Sequence, residues 1–320
     1  MKNIICTIML AILLNSCNNK SEVETAVAEI PVSMKVIRFD QEFFETKPAD
    51  LQKLKAKFPF FFPEGTPDEY WNKKIQNLQW RELFQEVEKR YKDFSPEKDE
   101  IETLFKHIKY YFPQIITPKI YTVIAEMDQN SKAIYANNKL LIALELYLGK
   151  NHKFYSEFPA YLRQNFEQRQ LMPDIVSSFA SGILPVTTDK ELIVQMVNSG
   201  KELYLKDILL PDYTDADKIG YTEDQIKWSQ ENEGFIWRKF IEDKLLFSSD
   251  SKLGNRFINL APFSKFYLEI DNDSPGRIGQ WMGWQIVRSF MENNPEIKVQ
   301  QLLKMDAKEV FEKSKYKPKK

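Results

Sequence analysis

Pro275-Gly276-Arg277-Ile278-Gly279-Gln280-Trp281-Met282-Gly283-Trp284-Gln285-Ile286-Val287-Arg288 is the stretch that decides how this chain is built. Its apolar spacing predicts a helix over 276–294. Gly279 and Gly283 are four residues apart, so both lie on one helical face. A glycine inside a helix costs about 1 kcal/mol against alanine, and close approach of another backbone is the usual compensation. The pattern therefore predicts a tight helix crossing in the core. The competing reading is a groove for a partner's helix, flanked by Trp281 and Trp284.

Helical signals dominate around it. Thr66-Pro67-Asp68-Glu69 combines a capping threonine, a proline at the first helical position and a glutamate shortly after. Trp71, Ile75 and Leu78 follow at helical spacing, and Trp80, Leu83, Phe84, Val87 and Tyr91 continue after a kink. Ser95-Pro96-Glu97 opens another helix, with Ile101, Leu104, Phe105 and Ile108 on one face. Helices are predicted over 158–166, 174–180 and 189–198. Thr222 to Gln225 is a capping box for a long helix through Leu245, and Asp306 to Glu309 caps a short last one. Val36 to Asp40 and Ile120 to Ala125 read as strands; Leu140 to Leu148 reads as a strand or a short buried helix, which periodicity alone does not separate, and the strand is favoured. The fold class is mainly α with a small β-sheet (α+β).

The front of the chain is of another kind. Lys2 precedes an apolar run from Ile4 to Leu14, too short for the roughly 20 residues that span a bilayer. Leu14-Asn15-Ser16-Cys17 has the order of a bacterial lipobox. Residues 1–16 are then a lipoprotein signal peptide, and Cys17 is the lipid attachment site. Residues 17–34 read as a flexible tether and 35–320 as one globular domain. Asn18, not Asp, after Cys17 points to the outer membrane. Cys6 leaves with the signal and lipid occupies Cys17, so no disulfide is available. Charge is near balance, with 45 Lys and Arg against 46 Asp and Glu, which argues against nucleic acid.

Familiar catalytic patterns are missing. The two histidines, His107 and His152, stand in no H-E-x-x-H. Ser199-Gly200-Lys201 echoes a P-loop, but Glu202 replaces the magnesium-binding hydroxyl. Asp271 to Gly276 and Asp215 to Gly220 start like calcium loops, yet Met282 and Ile226 stand where the closing glutamate belongs. No metal and no cofactor is expected. The lysine-rich end, Lys313 to Lys320, reads as a solvated tail able to touch anionic headgroups.

The chain resembles the gliding motility lipoprotein GldB family of the Bacteroidetes. The lipobox, Val36 to Asp40, Leu171-Met172-Pro173, Pro275 to Arg288, Met305-Asp306-Ala307 and Lys313 to Tyr316 carry the resemblance. It implies a component of the gliding motility and type IX secretion-associated apparatus, with protein partners in the envelope. The layout is also similar to predicted zinc-dependent proteases of gluzincin type. That likeness implies a zincin-like helical scaffold lacking the metal site: residues 172–180 occupy the first motif helix without a histidine, and Ser199 stands in place of a glutamate ligand. The expectation is a lipid-anchored, non-catalytic envelope protein; the alternative is an envelope hydrolase with a degenerate or unrecognised peptidase-like site.

Overall fold

The computed structural model describes residues 22–319, so the expected signal peptide and lipid-attachment residue Cys17 lie outside the described residues. The described chain starts with α1 (Glu22–Ala28), passes through β1 (Val36–Arg38) and runs directly into α2 (Phe39–Glu45). Then come α3 (Leu51–Lys57), α4 (Asp68–Gln76), α5 (Leu78–Arg90) and α6 (Ser95–Tyr111). They lead to β2 (Lys119–Val123), β3 (Ala133–Ala136) and β4 (Lys139–Ala143). The sheet order is β1-β2-β4-β3; β1, β2 and β4 are parallel, and β3 is an antiparallel edge. Asn137 and Asn138 join β3 to β4 with φ of 50° and 57°, the left-handed pair that a two-residue hairpin turn demands.

The second half is helical: α7 (Ala160–Arg163), α8 (Leu171–Ile183), α9 (Leu192–Leu209), α10 (Asp215–Ile219), α11 (Glu223–Glu231), α12 (Glu233–Glu242), α13 (Lys252–Phe257), α14 (Ile278–Asn293), α15 (Val299–Lys304) and α16 (Ala307–Lys313). The α+β expectation agrees with this architecture.

Local chemistry explains where the expected elements shift. Asn77 accepts hydrogen bonds from Gln79 N and Trp80 N, so it caps α5 and divides the kinked helix in two. Thr66 does not cap α4, whose N-cap is Pro67. The Thr222 box is formed, but its helix stops at Asn232 and restarts as α12. Only half of Leu140 to Leu148 is strand; Leu144–Leu146 tightens into a 3-10 turn. Of 158–166, only Ala160–Arg163 is helical. The largest correction concerns the tether. Residues 22–28 form a helix whose Val27 is buried, while Glu24 meets His107 of α6 at 3.2 Å. One apolar residue per turn was too weak a pattern to reveal it.

Two apolar cores meet at α9. Its Leu205 and Leu209 join the core under the sheet, and its Leu192, Ile193 and Val197 join the core around α14. There the two glycines act. A Cβ on Gly283 would lie 1.8 Å from Met196 O, and one on Gly200 2.2 Å from Gly283 O, so α9 and α14 touch backbone to backbone. Gly279 faces Phe257 O of α13 at 2.9 Å by the same measure. Trp281 and Trp284 are 2% and 0% exposed, which leaves no surface groove at these four residues.

Candidate functional site

In parallel sheets, ligands are usually taken at the carboxyl ends of the strands. Here the chain leaves β1 at Asp40, β2 at Ile124 to Met127 and β4 at Glu145. Of these, Asp40, Ile124 and Ala125 border an apolar pocket of about 240 Å³ lined also by Phe39, Phe43, Phe44, Phe61, Trp71, Val123 and Leu141, with Asp40 and Lys74 as its charged members. Phe39 stacks on Phe61 with ring centres 3.9 Å apart, and Phe43 meets Trp71 edge-on. Phe60 and Tyr70, both about half exposed, extend the aromatic surface outside the pocket. At the rim, Lys74 pairs with Glu126 at 2.7 Å and holds that carboxylate below its ordinary range.

Asp40 is fully committed. Arg38 donates to both its oxygens at 3.0 and 2.7 Å, and Thr122 Oγ1 donates at 2.5 Å. Arg38 also reaches Glu88 and the Tyr91 carbonyl. The sheet thus places Arg38 on β1 and Thr122 on β2 around one buried carboxylate. A bidentate arginine with a hydroxyl donor is a stable way to bury a charge.

Glu145 is different. It is wholly buried, and Oε1 accepts from Ala125 N at 2.6 Å and from Met127 N at 3.3 Å. Oε2 has no hydrogen-bond partner among the described residues. Glu126 and Met127 between them take φ of 58° and 61°, a strained left-handed pair that these bonds hold in place. Burial raises the Glu145 carboxyl from 4.5 to about 7. The folded protein therefore keeps a proton that the unfolded chain has already lost. Stability from this group is full below pH 4.5, falls as pH rises, and is level above about 7. Against Glu145→Gln, which keeps the acceptor but not the charge, wild type should lose about 2 kcal/mol between pH 5 and 8. Urea titrations of both proteins at each pH measure it. Parallel curves for the two would refute the buried-charge account.

The residues singled out from sequence lie elsewhere. Gly279, Gly283, Trp281 and Trp284 are in the core. Trp284 Nε1 donates to Asp207, and Arg288 lies over its ring while bridging Asp207 and Asp215. Asp215 is thus an ion-pair partner, and Asp271 accepts from the Phe266 and Tyr267 amides, so both calcium-like loops serve local structure. Lys201 of the P-loop echo is buried and donates to Met305 O. On the two helices of the protease-like reading, Ser177 donates to Glu202 at 2.6 Å. His152 faces Glu86 and stacks on Phe154, far in sequence from His107. Among the described residues no three His, Cys, Asp or Glu side chains converge as metal ligands. The lysine-rich end is not free. Asn293 donates to Ser314 O, and the Tyr316 hydroxyl donates to Glu233.

Sequence reasoning missed Asp40 and Glu145. A signal existed: Glu145 is the one charge in the nine-residue run Leu140 to Leu148, and a lone charge in such a run is buried with it. Arg38 and Thr122 are distant in sequence, so their convergence had no local signature.

No helix of the described residues is long and apolar enough to cross a membrane. The chain matches no curated protein and no solved structure. The family model described as Gliding motility protein GldB matches residues 20–318, nearly the whole chain, and this protein belongs to that gliding motility family.

Proposed function

We propose that this protein is a lipid-anchored, non-catalytic component of the gliding motility and type IX secretion-associated machinery that binds a partner protein through its aromatic pocket. The observation that carries the reading is the state of the pocket's polar groups. Asp40 is held by Arg38 and Thr122, and Lys74 by Glu126, so neither is free to act as base or nucleophile. What remains is apolar surface, with the Trp71 indole N–H as a buried donor lacking a partner among the described residues, of the kind that receives one anchoring side chain at a protein interface. An envelope hydrolase would need an accessible acid or base, and Glu145, the carboxyl with the suitable acidity, is sealed from solvent. The lipid on Cys17 would retain the domain at the outer membrane, facing the periplasm.

Two variants test this. Cys17→Ala is expected to release the protein from membranes while its unfolding curve stays unchanged; retention after a high-salt wash would defeat the anchor. Ala125 lines the pocket and is half-buried. Ala125→Phe should fill the cavity and abolish gliding and partner co-purification, at normal protein abundance. Normal gliding by an abundant Ala125→Phe protein would remove the pocket from the function.

A further inference from the structure

The amino ends of the parallel strands carry charge that neither the pocket nor the cores use. Lys35, Lys119 and Lys139 stand side by side there. Lys119 pairs with Lys139 in register, and Ile120 N donates to Lys35 O at 2.9 Å. Adjacent strands are about 4.8 Å apart, and like charges on cross-strand neighbours weaken a sheet. None of the three lysines is in an ion pair among the described residues; Lys139 instead lies 5.1 Å from the centre of the Phe60 ring. The chain leading into Lys119 adds Tyr110 and Ile116, which are 39% and 61% exposed. Unneutralised lysines beside an exposed tyrosine and isoleucine suit an anionic membrane surface, where lysines meet headgroups and tyrosine sits at the polar boundary.

The described chain begins on this side, at α1. Met34, Ala28 and Glu24 meet Glu102, Lys106 and His107 of α6 in turn. Followed backwards, the chain therefore runs toward Tyr111 and the segment that carries Ile116. Cys17 lies five residues before Glu22, no more than about 18 Å of extended chain. We propose that the Lys35-Lys119-Lys139 row, with Tyr110 and Ile116, rests on an anionic bilayer. The pocket at the opposite ends of the same strands then points away from the membrane. The placement rests on the anchor reading above; the chemistry of the surface does not.

The test is built to separate the two. The chain from Cys17 onward has a single cysteine, so it can be coupled at Cys17 to a maleimide lipid whether or not the cell acylates that residue. Each lysine's reactivity toward an amine-acylating reagent is then read by mass spectrometry. The vesicles are phosphatidylcholine, alone or mixed with phosphatidylglycerol. Lys35, Lys119 and Lys139 should become several-fold less reactive in the anionic vesicles and recover in high salt. Lys53 and Lys73, 84% and 76% exposed, should not change. Equal reactivity of the three in both vesicles, or a uniform fall across all lysines, would overturn the proposal. Failure of the anchor itself shows separately, in the membrane fractionation of Cys17→Ala.

Discussion

Gly283→Ala is expected to cost about 4 kcal/mol, above the usual 1–3 kcal/mol for an overpacked core. The reason is what the new methyl would meet. Its nearest neighbours are Met196 O at 1.8 Å and Met196 C at 2.3 Å, both backbone, so no rotamer change relieves the clash. α9 and α14 must move apart, and Gly200, whose own Cβ position is 2.2 Å from Gly283 O, shows that the contact is reciprocal. Separation would loosen Trp284 and the Arg288 ion pairs together. A domain of about 5–15 kcal/mol total stability would survive marginally, and Gly283→Leu should not accumulate at all. Gly182 supplies the contrast. It is helical with nothing within 4 Å of its Cβ position, so Gly182→Ala should gain about 0.5 kcal/mol. Denaturant unfolding of the three purified proteins, with their abundance in cells, measures the set. An unchanged midpoint for Gly283→Ala would mean that the crossing is not the close contact described.

Arg38→Met should cost about 3 kcal/mol, in the range found when one member of a buried ion pair is removed. The Arg38 and Asp40 side chains are 13% and 0% exposed, so water offers Asp40 little replacement. Thr122 would remain as its one side-chain donor. In a double-mutant cycle, Asp40→Asn in the Arg38→Met background should restore much of the loss, because no stranded charge remains. Additive losses in that cycle would show that Arg38 acts through packing or through Glu88 instead.

How much of this was legible depended on whether the cause was local. Ser95-Pro96, the Thr222 box and Asp306 announce helix starts within four residues, and the structure starts helices there or next to them. The glycine spacing of α14 revealed a close approach, but not its partner, because Gly200 sits in a helix with no matching pattern. β3 went unread because Ala133 to Ala136 is only four residues long, with no polar alternation to mark a strand; it is held by β4 and by Ser178, whose hydroxyl accepts from Tyr135 N. The candidate pocket was illegible as a site. Its aromatic residues come from α2, α4 and the Phe58 to Phe62 turn, which no single sequence pattern joins. The Asp40 cluster joins residues more than 80 positions apart, and only the assembled sheet brings them together.

β1 can be pulled along its axis or across it. It is an edge strand, paired with β2 in parallel at Val36, Ile37 and Arg38. With the proposed anchor at the amino end and the proposed partner at the carboxyl end, traction between them would run along the strand axis. The ladder is then sheared, all its bonds resisting at once, instead of being peeled open one bond after another. Arg38, gripping Asp40, Glu88 and the Tyr91 carbonyl just beyond, acts as a stop against slippage of the strand. Pulled the other way, from the side, the same strand would unzip at far lower force. On the proposed arrangement, the pairing of β1 would resist traction best along one axis, the line from membrane to pocket.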